Sequence, residues 1–444
     1  MKFYNRNIEL EELNLIYKQT KNRSTMVVLT GRRRLGKTLL ARTFMKDKKH
    51  LYLFIAKKSE NLLVNDLLEE IKKNFNLPII GTFHSFREIF ALLIELSQSE
   101  PLTVVIDEFQ DFYYINPSVF SDIQNIWDQH KESSKLNVIF IGSIYSLMHK
   151  IFMNEKEPLF GRADRIIVLK EFTTKTIREI LCDYTHEDSN KLFDYYLFTG
   201  GIPKYIDTLV TNNLFDHESI LDFFLTEHSP FINEGKNVLI EELGKEYALY
   251  FSILELIALG KTSRNDIESL LEKNIGGHLE RLDTIYGIIS QYKSIDAKPQ
   301  SRNVRYKIND NFLQFWFRFI HKNKSAVELG NFKYLRDVIT RDYTTYAGIV
   351  LEKFFHALFR ESGKFNKIGS YWEKGNINEI DLVALNDYTK ELVIADIKLQ
   401  KSKLNLNTLQ QKAKNITDHY SNYRIRWLGL SLDTPLAELL GSLD

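Results

Sequence analysis

Residues Gly31-Arg32-Arg33-Arg34-Leu35-Gly36-Lys37-Thr38 match the pattern G-x-x-x-x-G-K-[ST] in full. They stand between a short apolar run, Met26 to Thr30 (MVVLT), and a segment of helical spacing from Thr38 onward (TLLARTFMK). A strand, a glycine-bounded loop and a helix in this order form a cradle for phosphate. The glycines let backbone N–H groups wrap an anion, and the helix N-terminus adds positive potential there. The loop Gly31 to Thr38 therefore predicts ATP binding, with Lys37 reaching the β- and γ-phosphates and Thr38 binding Mg²⁺. Arg32, Arg33 and Arg34 follow the phosphates in this reading and do not form a separate basic patch.

Such a loop needs an acidic strand end nearby. Thr103-Val-Val-Ile-Asp107-Glu108 supplies one: four strand residues, then two carboxylates. Asp107 would hold the Mg²⁺ shell, and Glu108 would polarise the attacking water as general base. Ser143, in Ile141-Gly142-Ser143 after the next apolar run, is expected either to sense the γ-phosphate or to cap a helix. Arg162, in Pro158-Leu-Phe-Gly-Arg162, is expected to be either an arginine finger, on its own or a neighbour's nucleotide, or a surface salt bridge. Gly200-Gly201-Ile202-Pro203 would open a lid helix or serve as a plain turn.

At 444 residues the chain is too long for one ordinary core, and about two to four domains are expected. The first third alternates strand runs (Leu51 to Ala56, Thr103 to Ile106, Val138 to Ile141) with helical segments at 60–74 and 118–131. That pattern predicts a mostly parallel, doubly covered sheet. After about residue 170 the chain becomes mainly helical. Helical segments at 246–258, 263–271 and 277–285 precede two strand runs, Ile288 to Tyr292 and Arg305 to Ile308, which is the element order of a winged helix. Further on, Ala347 to Phe359 reads as a helix, and 379–385 and 391–397 as strands around Asn386-Asp387. The expected division is a P-loop ATPase core at 1–170, a helical lid at 171–240, a winged helix at 241–325 and a further α/β domain at 340–444.

Net charge is +1, so any nucleic-acid surface must be local. Arg302, Arg305 and Lys307 on the expected wing, and Lys398, Lys401, Lys403, Lys412 and Lys414 farther on, would suit DNA backbone contact, or are ordinary solvent-facing charges. Cys182 is the single cysteine, so no intrachain disulfide forms. The charged start, MKFYNRNIELEEL, has no apolar core of a signal peptide, and no apolar run reaches the roughly 18 residues of a membrane helix. A soluble cytoplasmic protein without a membrane partner is expected.

Taken together, GRRRLGKT, VIDEFQ, IGS, PLFGR and TGGIPKY resemble, in order, the archaeal-type AAA ATPases of prokaryotes, part of the AAA+/STAND group. Asn309-Asp310-Asn311-Phe-Leu-Gln-Phe-Trp316-Phe-Arg-Phe is similar to that family's DNxxxFWFRF segment. The resemblance implies ATP binding and leaves the biological role open.

Glu379-Ile-Asp381-Leu-Val-Ala, followed by Asp396-Ile-Lys398, is similar to the paired strands of restriction-endonuclease-like, PD-(D/E)xK nucleases. There two acids hold Mg²⁺ and the lysine orients or activates water. Glu352, in Val350-Leu-Glu352, matches their helical glutamate. The C-terminal domain of the same ATPase family is similar, usually with glutamate where this chain has Asp396, whose reach is shorter. Three readings remain at this stage. The first is a nucleotide-driven switch or motor on DNA with a C-terminal nuclease site. The second is a STAND-like signalling or scaffold ATPase, with the possibility of a homo-oligomer. The third is an ATP-binding regulator that hydrolyses slowly or never.

Overall fold

The computed structural model describes residues 1–75, 82–186, 188–298, 300–301, 303–375, 377–434 and 441. The chain divides into two compact units, Asn5–Lys170 and Met1–Tyr4 with Glu171–Asp444. Among the described residues no helix is long and apolar enough to cross a membrane.

In the first unit, α1 (Asn7–Gln19) leads to β1 (Thr25–Thr30), α2 (Lys37–Met45), β2 (His50–Phe54) and α3 (Glu60–Phe75). Next come α4 (Phe86–Leu96), β3 (Leu102–Asp107), the single turn α5 (Phe112–Ile115) and α6 (Ser118–His130). β4 (Leu136–Ile141), α7 (Tyr145–Met153) and β5 (Arg165–Val168) close the unit. The strands are all parallel, in the order β2-β3-β4-β1-β5. Every residue of β1, β3 and β4 is buried. Alternation explains how. Met26, Val28, Val104, Ile106, Val138 and Phe140 join Phe90, Ile123 and Trp127 in one core. Val27, Leu29, Val105 and Ile139, also buried, point to the opposite face. A strand covered on both sides reads as an unbroken apolar run, which is why these three are visible in the sequence. Each such side chain contributes about 1.5–3 kcal/mol by leaving water.

The second unit starts with α8 (Thr174–Tyr184), α9 (Ser189–Thr199), α10 (Pro203–Thr211), α11 (His217–Phe224) and α12 (Phe231–Leu243). Gly200 ends α9 in the left-handed region at φ 60°, Gly201 follows at φ 81°, and Pro203 opens α10. α13 (Tyr247–Ala258), α14 (Arg264–Leu271) and α15 (Gly276–Glu280), which runs on as a wider turn to Ile285, precede an antiparallel pair. Its strands are β6 (Ile289–Tyr292) and β7 (Arg305–Ile308). α16 (Asn311–Phe315) continues through a wider turn to His321, and α17 (Lys324–Glu328) follows. Trp316 packs on α12 so closely that a Cβ on Gly235 would lie 2.2 Å from its ring, and its indole N–H donates to the Ile232 carbonyl at 2.8 Å.

The helix expected at 347–359 is α18 (Phe332–Glu361), 30 residues long. Its first half buries only Leu335, Ile339 and Tyr346 among charged neighbours, too sparse a stripe to read. β8 (Lys367–Tyr371), β9 (Ile380–Asn386), β10 (Glu391–Ile397), α19 (Leu406–Lys412), α20 (Lys414–His419) and β11 (Arg424–Leu430) complete the unit. The sheet order is β11-β10-β9-β8, parallel between β10 and β11 and antiparallel elsewhere. One face packs Val383, Leu385, Leu392 and Ile394 against Leu409 of α19, Ile416 of α20 and Ala413 between them.

Candidate functional sites

β1 ends in a loop whose backbone only glycine-like conformations allow. Gly31 has φ 137°, and a Cβ there would lie 2.7 Å from the Leu169 carbonyl oxygen, so the chain must pass bare beside the end of β5. Arg34 (φ 72°) and Gly36 (φ 84°) are left-handed, and α2 starts at Lys37. The Lys37 ammonium donates to the Gly31 and Arg32 carbonyls at 2.7 and 2.8 Å. It therefore lies across its own loop. A residue the sequence did not single out also braces the loop. Buried Arg6, just before α1, donates to the Leu35 carbonyl at 3.3 Å and the Lys170 carbonyl at 2.7 Å.

The parallel register brings the end of β3 beside this loop. Thr38 Oγ1 donates to Asp107 Oδ2 at 2.8 Å, and the Tyr52 hydroxyl, from β2, donates to the same oxygen at 2.6 Å. Burial, then the bond to Asp107, pushes the Tyr52 phenol well above its ordinary range, so it remains a donor. Glu108 follows with φ 55°, left-handed and sterically costly for a side chain of its size. Its carboxylate accepts from Ser143 Oγ at 3.0 and 2.7 Å and from Gln110 Nε2. Ser143 thus holds Glu108. It does not cap α7, whose N-cap is Ile144.

A hydroxyl next to a carboxylate at the end of a phosphate loop is the oxygen donor set that a hard divalent cation accepts beside phosphate oxygens. The residues present fit Mg²⁺ and a nucleotide.

Arg162 sits elsewhere. Its guanidinium binds Asp128 at 2.7–3.2 Å and the Pro158 and Phe160 carbonyls at 2.7 and 3.2 Å. Asp164 N–H donates to the Met26 carbonyl, so Arg162 lies beyond the amino end of β1, while Gly31 follows its carboxyl end. At about 3.3 Å per strand residue the two edges are about 15–20 Å apart. The salt bridge with Asp128 is what forms, at the opposite edge of the sheet from the phosphate loop.

A second constellation lies on β9, β10 and α18. The register that pairs Ala395 with Leu382 puts Asp396 level with Asp381. Lys398 Nζ bridges them at 2.8 Å to Asp396 Oδ1 and 2.9 Å to Asp381 Oδ2. Burial works against the Lys398 charge, but these two carboxylates outweigh it and hold its pKa above the ordinary lysine value. Asp381 Oδ2 also accepts from the Ile397 N–H at 2.9 Å, and its carbonyl accepts from His356 Nε2 at 2.8 Å. Glu352 faces the pair from α18. Burial first, then the charges of Asp381 and Glu379, push its carboxyl up to about 8. Among the described residues no group of three or more His, Cys, Asp or Glu is arranged to hold a metal ion, and here the Lys398 ammonium stands between the two aspartates.

A raised carboxyl pKa stabilises below its unfolded value and costs stability as pH rises through the folded one. Glu352→Gln should therefore match wild type near pH 4 and become progressively more stable than wild type up to pH 8–9, by up to about 5 kcal/mol. Thermal melts across that range check this, and a stability difference that stays constant with pH would count against it.

Neither of the described basic residues expected on the wing projects outward. Arg305 pairs with Glu379 at 2.6 Å and lies 4.2 Å from the centre of the Trp372 ring. Lys307 is half-buried over Tyr292, and burial lowers its pKa to about 8. Arg302 lies outside the described residues. Lys401, Lys403 and Lys414 are exposed, and Lys412 is half-buried.

The five-stranded parallel sheet, with its phosphate loop at the carboxyl edge beside Asp107 and Glu108, defines a P-loop ATPase domain. Residues 3–209 match the model of an ATPase domain predominantly from Archaea, and residues 316–416 match a model of archaeal and bacterial proteins of unknown function. The chain is 30% identical over 406 residues to an uncharacterized protein of Methanocaldococcus jannaschii, covering 89% of this chain and 87% of that one. It belongs to the archaeal-type ATPase family. Two solved structures share its fold. A Walker-type ATPase of Pyrococcus abyssi aligns over 71% of this chain and 96% of its own, with TM-score 0.55 and 20% identity. The ORC2 protein of Aeropyrum pernix, in ADPNP and ADP complexes, aligns over 74% and 95%, with TM-score 0.51 and 15% identity.

Proposed function

We propose that this chain is a Mg²⁺-dependent ATPase that works as a nucleotide-driven switch on DNA, with a nuclease-like centre in its C-terminal part. The observation that carries the ATPase reading is the 2.8 Å contact of Thr38 with Asp107, with Glu108 clasped by Ser143 beside it. Gly31 to Thr38 would bind the phosphates, Lys37 turning from its loop carbonyls to the β- and γ-oxygens. Thr38 and Asp107 would hold the Mg²⁺, which supplies charge neutralisation when bound. Glu108 would take the proton of the attacking water once Ser143 and Gln110 release it. With its own site out of reach, Arg162 would serve a nucleotide only on a second copy, which makes a homo-oligomer the setting for any finger role.

The 171–240 helices would act as a lid and 241–325 as a winged helix. Glu352, Asp381, Asp396 and Lys398 would form the nuclease-like centre, with metal displacing Lys398 from between the aspartates. One observation favours the signalling or scaffold reading. Arg305 is spent on Glu379 and Trp372, so the hairpin keeps less positive charge for DNA.

Plasmid and single-strand cleavage with Mg²⁺ or Mn²⁺, with and without ATP, separates the two. Under the leading reading wild type cuts, Asp381→Ala loses at least 100-fold of that activity, and Lys37→Ala reports whether nucleotide gates it. Intact ATP turnover without cleavage under any condition moves the scaffold reading to first place.

A further inference from the structure

A cavity of about 680 Å³ lies within the second unit, between the β6–β7 hairpin, α18 and the start of β8. That is in the range of about 300–1,000 Å³ typical of small-molecule sites. Its floor is one stripe of α18, carrying Glu352, His356 and Arg360 at four-residue steps. Tyr196, Tyr292 and Tyr306 line it with aromatic surface, and Lys307 from β7 and Arg360 from α18 line it among them, the Lys307 ammonium 5.1 Å from the centre of the Tyr292 ring.

These two cations are unlike the others that line it. Lys353 is saturated by the Ile308 carbonyl at 2.7 Å and the side-chain oxygens of Asn311 and Gln314. Arg305 is neutralised by Glu379. Among the described residues neither Lys307 nor Arg360 has a carboxylate within 4.0 Å, and Lys307 has only the Tyr292 ring, 5.1 Å from its ammonium. A half-buried ammonium left to a ring face is costly unless something anionic completes it. A lone phosphate would leave most of the cavity empty. A phosphate with an attached ring would fill it, cations to the phosphate and tyrosines to the ring.

We propose that this cavity is a second nucleotide site, separate from the phosphate loop, in which Lys307 and Arg360 bind the phosphate and the lining tyrosines take the base. The nucleotide is either a free mononucleotide or the end of a single strand. The site stands whether or not the neighbouring carboxylates cut anything.

The test is isothermal titration of the full chain carrying Lys37→Ala, which silences the phosphate loop. The probes are AMP, pyrophosphate and a 5′-phosphorylated hexathymidylate. One saturable AMP site is expected, weakened at least tenfold by Lys307→Met and by Arg360→Gln, and unchanged by Lys333→Ala, an exposed lysine away from the lining. Arg360 is exposed, so its variant keeps the test sound if Lys307→Met folds poorly. AMP binding alone identifies the free nucleotide as the occupant. Tighter hexathymidylate binding with the same loss in both variants identifies the strand end. Pyrophosphate binding as well as AMP overturns the role given to the base. No saturable binding of either nucleotide probe, or binding untouched by both substitutions, overturns the proposal.

Discussion

Glu108→Gln should stop ATP turnover by on the order of 10²- to 10³-fold while leaving ATP binding within a few-fold of wild type. The substitution keeps the volume and the contacts to Ser143 and Gln110 but removes the base. Asp107 and Thr38, which face each other at 2.8 Å, stay in place to hold the nucleotide's metal. Steady-state phosphate release and fluorescent-nucleotide binding, measured on one preparation, separate the two effects. Turnover within threefold of wild type would mean that some other group activates water. Loss of binding together with turnover would mean that the left-handed backbone at residue 108, φ 55°, had been disturbed.

Gly201→Ala should cost the fold about 3–5 kcal/mol. Two costs combine. The backbone is held at φ 81°, which disfavours any Cβ, and that Cβ would lie 2.4 Å from the Phe172 carbonyl oxygen. The obstacle is backbone and cannot swing aside, because the Phe172 N–H donates to the Gly201 carbonyl at 2.8 Å. Gly200→Ala next door is a built-in control. Its nearest neighbours would be the Asn311 nitrogen at 3.1 Å and Asp310 Oδ1 at 3.2 Å, so about 1–2 kcal/mol is expected. Urea unfolding of both variants gives the comparison, and equal losses would refute the role assigned to the Phe172 contact.

What was legible in the sequence follows from where the contacts lie. The loop Gly31 to Thr38 is contiguous, and β1, β3 and β4 are buried on both faces, so each shows as a plain apolar run. β5 has four residues with only Ile167 buried, and β11 carries Arg424 and Arg426 among half-buried neighbours, so neither shows such a run. Supporting contacts were invisible for a different reason. Tyr52 meets Asp107 across 55 positions, and Arg6 meets Lys170 across 164. No spacing rule links such pairs; only the sheet order does. The basic residues of β7 carried a misleading signal, since nothing local tells an outward lysine from one folded over Tyr292.

One helix serves two places at once. α18 spans about 45 Å at 1.5 Å per residue. Within two turns it carries Glu352, which faces the aspartate pair, and Arg360, which faces the cavity, and at its end Glu361 accepts from the Thr174 N–H at 2.9 Å at the start of α8. A rod that stiff has no joint between its stations. A nudge at Thr174 therefore moves the carboxylate and the guanidinium by the same stroke, and a ligand that seats against one sets the position of the other.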